Sequence, residues 1–380
     1  MPKIKTRITE MFHIDVPIVA FCHSPAVVAA VSKAGGLGVL GCSGYSVEHL
    51  REMLDWIDAN IDGKPYGVNM VMPAKVVKGI TGETKADYHS FLPEEMLKFN
   101  SDILDAYSVP QLPQDKRDEM INASIAEDSS GPEDTLAILD LAFQHPIALI
   151  SSALGPPPVE VVERAHAAGI KVAALAGAKR HAMKNIQVGC DILVAQGHEA
   201  GGHTGKVTSM ILWPEIAEFS SIPVLAAGGV GSGKQLAAAL ALGVDGAWCG
   251  TIWLGSCEDS WSTETEKDII YHAEASDSVQ SRHRTGKPCR MTKSAMSEAW
   301  ADKEPLVMPL QAMLYKESQL RLNISSADPV SPAGRECMSV FCGQNVGRVT
   351  GPRHCGDIIM DMVNDCLETI DRLKGLVTGD

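Results

Sequence analysis

Long apolar runs are missing from this chain. No stretch approaches the roughly 18–20 consecutive apolar residues that a membrane-spanning helix requires. An apolar signal core is missing too, since Met1-Pro-Lys-Ile-Lys-Thr-Arg7 leads straight into polar sequence. There is no basic excess: 33 Lys and Arg stand against 47 Asp and Glu, a net charge of −14. That balance argues against a nucleic-acid backbone or an anionic membrane surface as the main partner. The ten cysteines include no C-x-x-C pair, so their placement suggests neither a disulfide framework nor a metal site. Several fall in apolar runs, such as Cys190 before Asp191-Ile-Leu-Val194, where a free thiol packs as a small hydrophobe in a reducing compartment. The expectation is a soluble, cytoplasmic protein. Its 380 residues, 45% of them apolar, suffice to bury a sizeable core.

What is present is a repeating unit. Short apolar runs near 17–21, 37–40, 66–72, 148–150, 171–175, 192–195, 224–226 and 246–249 have the length and continuity of parallel strands buried on both faces. Helical patterns lie between them. Ser24 precedes one that stops at Gly35-Gly36, and Ser46 is a suitable N-cap for another. Three prolines precede Val159, and Gly243 stops the helix that begins near Lys234. Eight strands with intervening helices is the count of an α/β (β/α)8 TIM barrel. An open doubly wound sheet is the rival, and the unusual residues tip the balance because they follow the ends of many different strands. The expected division is a barrel over 1–73 and 146–255, a helical insertion after strand 3 over 74–145, and a C-terminal helical cap over 256–380. The insertion contains a Pro-x-x-Pro break at 110–113, and the cap ends in an amphipathic helix with Ile359, Val363, Cys366, Ile370 and Leu373 on one stripe.

The most unusual segment follows the sixth strand: Ala195-Gln-Gly-His-Glu-Ala-Gly-Gly-His203. So many glycines are costly to order, and they let a backbone approach a ligand closely. His203 carries a group whose proton affinity suits acid–base work. A lone histidine in a loop is more often a hydrogen-bonded structural residue, but Gln196, the glycines and the strand-end position together favour a site. After the seventh strand, Gly228 to Lys234 mimics a G-x-x-x-x-G-K phosphate loop, yet Gln235 stands where magnesium needs Ser or Thr. A nucleotide hydrolase is therefore excluded, while phosphate binding by backbone amides at Gly228-Gly229 survives. After the eighth strand comes Trp248-Cys249-Gly250-Thr251. In a (β/α)8 barrel the loops after strands seven and eight commonly hold a phosphate. Tight turns alone would explain either glycine pair, whereas both beside a third glycine-rich loop favour a phosphorylated cofactor. Asn69 is a polar residue inside an apolar strand, hence a core hydrogen-bonder or a ligand contact.

These segments, with Ser32-Lys-Ala-Gly-Gly-Leu-Gly-Val-Leu-Gly41, Pro65-Tyr-Gly-Val-Asn69 and Ala226-Ala-Gly-Gly-Val230, make the chain resemble the nitronate monooxygenase family, older name 2-nitropropane dioxygenase, of FMN-dependent (β/α)8 barrels. The resemblance runs from about Thr6 to Leu254. By position it implies that Asn69, Gln196, Gly201 and Gly202, Gly228 and Gly229, and the Trp248, Cys249, Gly250 and Thr251 turn bind FMN. It implies His203 as catalytic base, taking the α-proton of a neutral nitroalkane. The implied reaction is one-electron oxidation of an alkyl nitronate through a flavin semiquinone, with O2 as co-substrate and a carbonyl compound plus nitrite as products. Gly343-Gln344-Asn345 resembles a late family element that helps close the site. The resemblance also implies that Ala20, Phe21 and Cys22 bind FMN beside its ring, with one departure: the family's Ala-Pro-Met is Ala20, Phe21 and Cys22 here, followed by His23. A covalent Cys22–His23 mechanism is disfavoured, because neighbours in a strand face opposite sides. The rival activity is an FMN-dependent enoyl-thioester reductase using NAD(P)H. A separate G-x-G-x-x-G fingerprint is absent, but a nucleotide that docks transiently over a flavin does not need one. A scaffold or sensor that binds FMN without turnover is the non-enzymatic alternative. Partners are expected to be a small-molecule substrate and O2, and a homo-oligomer remains open.

Overall fold

The computed structural model describes residues 2–72, 92–127, 132–326 and 330–377. Eight parallel strands close into a barrel: β1 (Ile18–Cys22), β2 (Leu37–Gly41), β3 (Tyr66–Met70), β4 (Leu149–Ser152), β5 (Lys171–Ala176), β6 (Ile192–Gln196), β7 (Val224–Ala227) and β8 (Gly246–Cys249). Closure comes from β1 against β8, with Ile18 paired to Ala247 and Val19 to Trp248. Each expected strand is present, displaced by at most two residues at an end.

Strand alternation sorts the side chains into two layers. Val19, Leu37, Val39, Leu149, Ala173, Ile192, Val194, Leu225, Ala227 and Trp248 fill the barrel interior. The intervening residues, among them Ile18, Val68, Ile150, Ala174, Leu193 and Ala226, pack outward beneath the helices. Glycine sets how closely a helix approaches: a Cβ on Gly38 would lie 2.4 Å from the Val28 carbonyl oxygen on the helix Pro25–Lys33. An N-terminal helix, Arg7–Phe12, plugs the lower end with Ile8 and Phe12. It is tied down by Arg7, whose Nε and Nη2 each donate to the Asp245 carboxylate over 2.7 Å.

The segment after β3 divides in two. Helix Pro132–Ala142 packs beside helix Val47–Asn60, and Ile138, Leu139 and Leu141 join that side of the barrel core. The helices Glu94–Ala106 and Arg117–Glu127 instead pack on Leu310–Ser325 of the C-terminal region. Buried Arg321 stitches them together by donating to Pro110 O (3.0 Å), Val109 O (2.7 Å) and Ser101 Oγ (3.0 Å). Residue 73 of the expected barrel segment and residues 74–91 and 128–131 of the expected insertion lie outside the described residues.

The last helix, Cys355–Lys374, lies against Gly233–Ala241 and Pro25–Lys33, burying Ile359, Met362, Val363 and Cys366. It therefore serves as the outer helix after β8, not as a lid. Leu373, at the end of the expected stripe, is exposed. Among the described residues no helix is long and apolar enough to cross a membrane.

Candidate active site

At the C-terminal end of the barrel three inward positions turn from apolar to polar. Asn69 lies between outward-packing Val68 and Met70, and so faces in. Ser151 shares the inward parity of Leu149, and Gln196 that of Ile192 and Val194. Asn69 and Ser151 are direct register partners across β3 and β4. Ser151 Oγ is buried without a hydrogen-bond partner among the described residues, and the Asn69 side chain likewise bonds to none of them. A buried hydroxyl without a partner is costly, so the pair suits a polar ligand lying on the barrel floor. Ser151 escaped sequence reasoning, although a Ser-Ser pair closing an apolar strand is the same kind of signal as Asn69. Phe21 and Trp248 also face in and stack with centroids 6.2 Å apart. Ala20, Cys22 and Cys249 turn their side chains outward into the layer beneath the helices, so any contact they make with a cofactor falls to backbone.

The turns after β7 and β8 carry free donors. The backbone N–H groups of Gly229, Val230, Gly250 and Thr251 have no partner among the described residues. Gly228 and Gly229 take φ of +85° and +89°, a left-handed region that suits glycine. Free amides on the turns of neighbouring strands are the kind of donor that binds an anion. The nearby helix N-termini are already satisfied. Glu199 accepts from Ser209 N (2.9 Å) and Oγ (2.8 Å) at the start of Ser209–Phe219. Ser232 and Gln235 cap Gly233–Ala241. Lys234 meets Asp365 of the last helix, on the outside of the barrel, which disposes of the phosphate-loop reading on structural grounds.

The C-terminal region reaches these turns with the strap 342–345. Gly343 N donates to Thr251 Oγ1 (2.8 Å) and Gln344 N to Glu199 O (2.9 Å). A Cβ on Gly201 would lie 2.7 Å from the Cys342 carbonyl carbon, so that glycine is required for the strap to close on the loop after β6. Gly202 has φ +70° and open space beside it.

His203 is held from the same side. The loop after β6 forms a short strand, Gly202–His203, that pairs antiparallel with Cys289–Thr292, itself paired with Ser278–Ser281. Register places Cys289 opposite His203, and their side chains meet with Sγ 2.9 Å from Nδ1. Burial lowers the His203 pKa, nearby Lys287 lowers it further, and the Pro288 carbonyl opposes them. On balance its surroundings favour the neutral imidazole.

His23 sits over β2, where a Cβ on Gly41 would come within 2.6 Å of its ring. It touches Phe21 edge-on at 5.4 Å and Trp261 of the C-terminal region at 5.6 Å. Its Nδ1 is buried and unpartnered among the described residues, and burial lowers its pKa. Phe21 and His23 share the inner face while Cys22 packs outward, and burial pushes the Cys22 thiol far up. The alternation that disfavours a Cys22–His23 couple thus holds in three dimensions. Among the described residues no group of three or more His, Cys, Asp or Glu side chains could hold a metal ion.

The chain belongs to the nitronate monooxygenase family of oxidoreductases, whose family model matches residues 4–365. The chain is 42% identical over 379 residues to Rv1533 of Mycobacterium tuberculosis, named as a candidate monooxygenase, covering 98% of this chain and all of that one. Its fold is similar to nitroalkane oxidase from Streptomyces ansochromogenes, with a TM-score of 0.77 and 23% identity over 96% of this chain and 99% of that one. It is also similar to FabK from Thermotoga maritima, with a TM-score of 0.71 and 22% identity over 99% and 100% of the two chains.

Proposed function

We propose that the protein binds FMN and oxidises alkyl nitronates with O2 to a carbonyl compound and nitrite. The observation that carries this reading is the set of free amides at Gly229, Val230, Gly250 and Thr251, together with family membership. Those amides would hold the phosphate of FMN, while Asn69, Ser151 and Gln196 would supply hydrogen bonds to its polar ring edge from the barrel floor. When bound, FMN supplies the electron acceptance that lets a nitronate react with O2. His203 would take the α-proton of a neutral nitroalkane, which a preformed nitronate no longer carries. Phe21, Trp248 and His23 would wall the mouth and exclude water from the reacting carbon.

The test is anaerobic flavin absorbance on the purified protein. An alkyl nitronate is expected to change the flavin spectrum, and NADH or NADPH to leave it unchanged. Rapid bleaching by NAD(P)H with indifference to nitronate would replace this reading with the enoyl-thioester reductase. Protein that neither carries nor takes up flavin would sink both.

A further inference from the structure

We propose that Cys289 and Thr285 form a hydrogen-bond chain that holds His203 with its proton on Nδ1 and its Nε2 lone pair free; both are positioning residues for proton abstraction. The catalytic half of this inference rests on His203 being the base, whereas the tautomer itself does not.

The chain has three links. Cys289 Sγ lies 2.9 Å from His203 Nδ1 and 3.7 Å from Nε2, so Nδ1 is the nitrogen it engages. On its other side Sγ lies 3.3 Å from Thr285 Oγ1. Thr285 Oγ1 lies 3.3 Å from the Lys287 carbonyl oxygen and accepts from Lys287 N, also over 3.3 Å. Polarity follows from the end that has no choice. A carbonyl oxygen can only accept and is a better acceptor than a thiol sulfur, so the single Thr285 hydroxyl proton goes to Lys287 O. Thr285 Oγ1 then accepts the Cys289 S–H. The sulfur has spent its one proton and accepts from His203 Nδ1–H. A neutral imidazole with its proton on Nδ1 has a bare Nε2. The reversed chain would put the proton on Nε2 and remove the base.

Two further features keep the chain intact, the polarity itself resting on the Lys287 carbonyl. Burial pushes the Cys289 thiol up to about 11, so the sulfur keeps the proton it must donate at neutral pH. The carrying loop is also fixed in place. Gly286 N donates to Arg282 O over 2.8 Å, Arg282 Nε donates back to Gly286 O over 3.1 Å, and Gly286 has φ +79° with the Leu306 carbonyl 2.2 Å from where its Cβ would be. The backbone that carries Thr285 is thereby fixed beside Cys289.

The direct measurement is a two-bond 1H–15N imidazole spectrum of the FMN-loaded protein, with His203 assigned by its absence in His203→Asn. The Nδ1–H pattern is expected, and an Nε2–H pattern overturns the proposal. The kinetic measurement compares nitroethane with preformed ethyl nitronate. For Cys289→Ala, kcat/KM on nitroethane should fall about tenfold, the size of one hydrogen bond's orienting effect, with nitronate turnover and flavin content within about twofold of the parent. The nitroethane pH profile should shift to lower pH, because an acceptor for Nδ1–H stabilises the imidazolium and its loss weakens the base. Cys289→Ser should restore rate and profile, since a hydroxyl both accepts and donates; Thr285→Val should move in the direction of Cys289→Ala. Equal losses in Cys289→Ala and Cys289→Ser, or a nitroethane rate unchanged in Cys289→Ala, would overturn the positioning role. Full nitroethane turnover by His203→Asn would instead overturn the base assignment and leave the tautomer result standing.

Discussion

Asn69 on β3 and Ser151 on β4 stand opposite each other in register, both turned into the barrel and both without a side-chain hydrogen bond to any described residue. A hydroxyl buried in this way costs about 1–3 kcal/mol, and a ligand that bonds to it recovers the loss. Ser151→Ala is therefore expected to raise the Tm of the flavin-free protein and to weaken FMN binding about tenfold. Asn69→Leu should weaken FMN binding in the same direction. Fluorescence titration with FMN and a melting curve on each apo variant check this. A Ser151→Ala protein that melts lower and binds FMN as well as the parent would mean the hydroxyl serves the fold alone.

His203→Asn should retain FMN, because the free amides lie on other turns. Turnover of neutral nitroalkanes should fall at least about a hundredfold, the ordinary contribution of a general base, with much smaller loss on preformed nitronates. Steady-state rates on both forms, at matched flavin content, decide it. Equal losses on both forms would remove the histidine from proton abstraction.

Burial lowers the His203 pKa, which fixes the sign of the pH dependence. The neutral imidazole is the active form, so the nitroalkane rate should persist below the ordinary histidine range near pH 6.5 and decline only as pH falls through the lowered value. Preformed nitronate should lack that limb. A nitroalkane inflection at or above the ordinary histidine value would contradict the buried placement.

The buried His283 extends the same reasoning to stability. Burial, with a smaller contribution from nearby Arg284, brings its pKa down to about 3. Between that value and the unfolded value near 6.5 the unfolded chain binds the extra proton, so stability is complete above about pH 6.5 and drains away as pH falls toward 3. Tm measured from pH 7 to pH 4 should fall, and His283→Phe should flatten the slope. An identical slope in parent and variant would show that other groups control acid sensitivity.

Gly233 allows the last helix to pack closely on the helix Gly233–Ala241. A Cβ there would stand 2.2 Å from Met362 O and 2.3 Å from Cys366 N. Helix propensity alone favours Ala over Gly by about 1 kcal/mol, but the backbone clash wins, and Gly233→Ala should destabilise by roughly 1–3 kcal/mol. Denaturant melts give the answer; a variant more stable than the parent would show that the last helix can shift aside at no cost.

Much of the barrel was legible because its signals are local. Continuous apolar runs, Ser24 and Ser46 before helices, and glycine stops each act over a few residues, and eight such units leave few ways to close. Asn69, the Gly-His loop and the two glycine turns were legible as well, because a polar or glycine-rich break at a strand end conflicts with the strand's own pattern. Alternation even foretold that Cys22 and His23 part company.

What the linear chain could not express is contact between segments far apart along it. The pairing of Cys289 with His203 joins residues 86 positions apart, and no periodicity in either segment announces the other. The same holds for the strap at Gly343 against Thr251, the last helix seated on Gly233, and the insertion helices gathered around Arg321. Local propensity and patterning determined the barrel and marked the strand ends that carry its candidate site. Only the tertiary structure decided which distant side chains meet there, because hydrogen-bond polarity, orphaned donors and close backbone approach depend on geometry that exists only after the chain has closed.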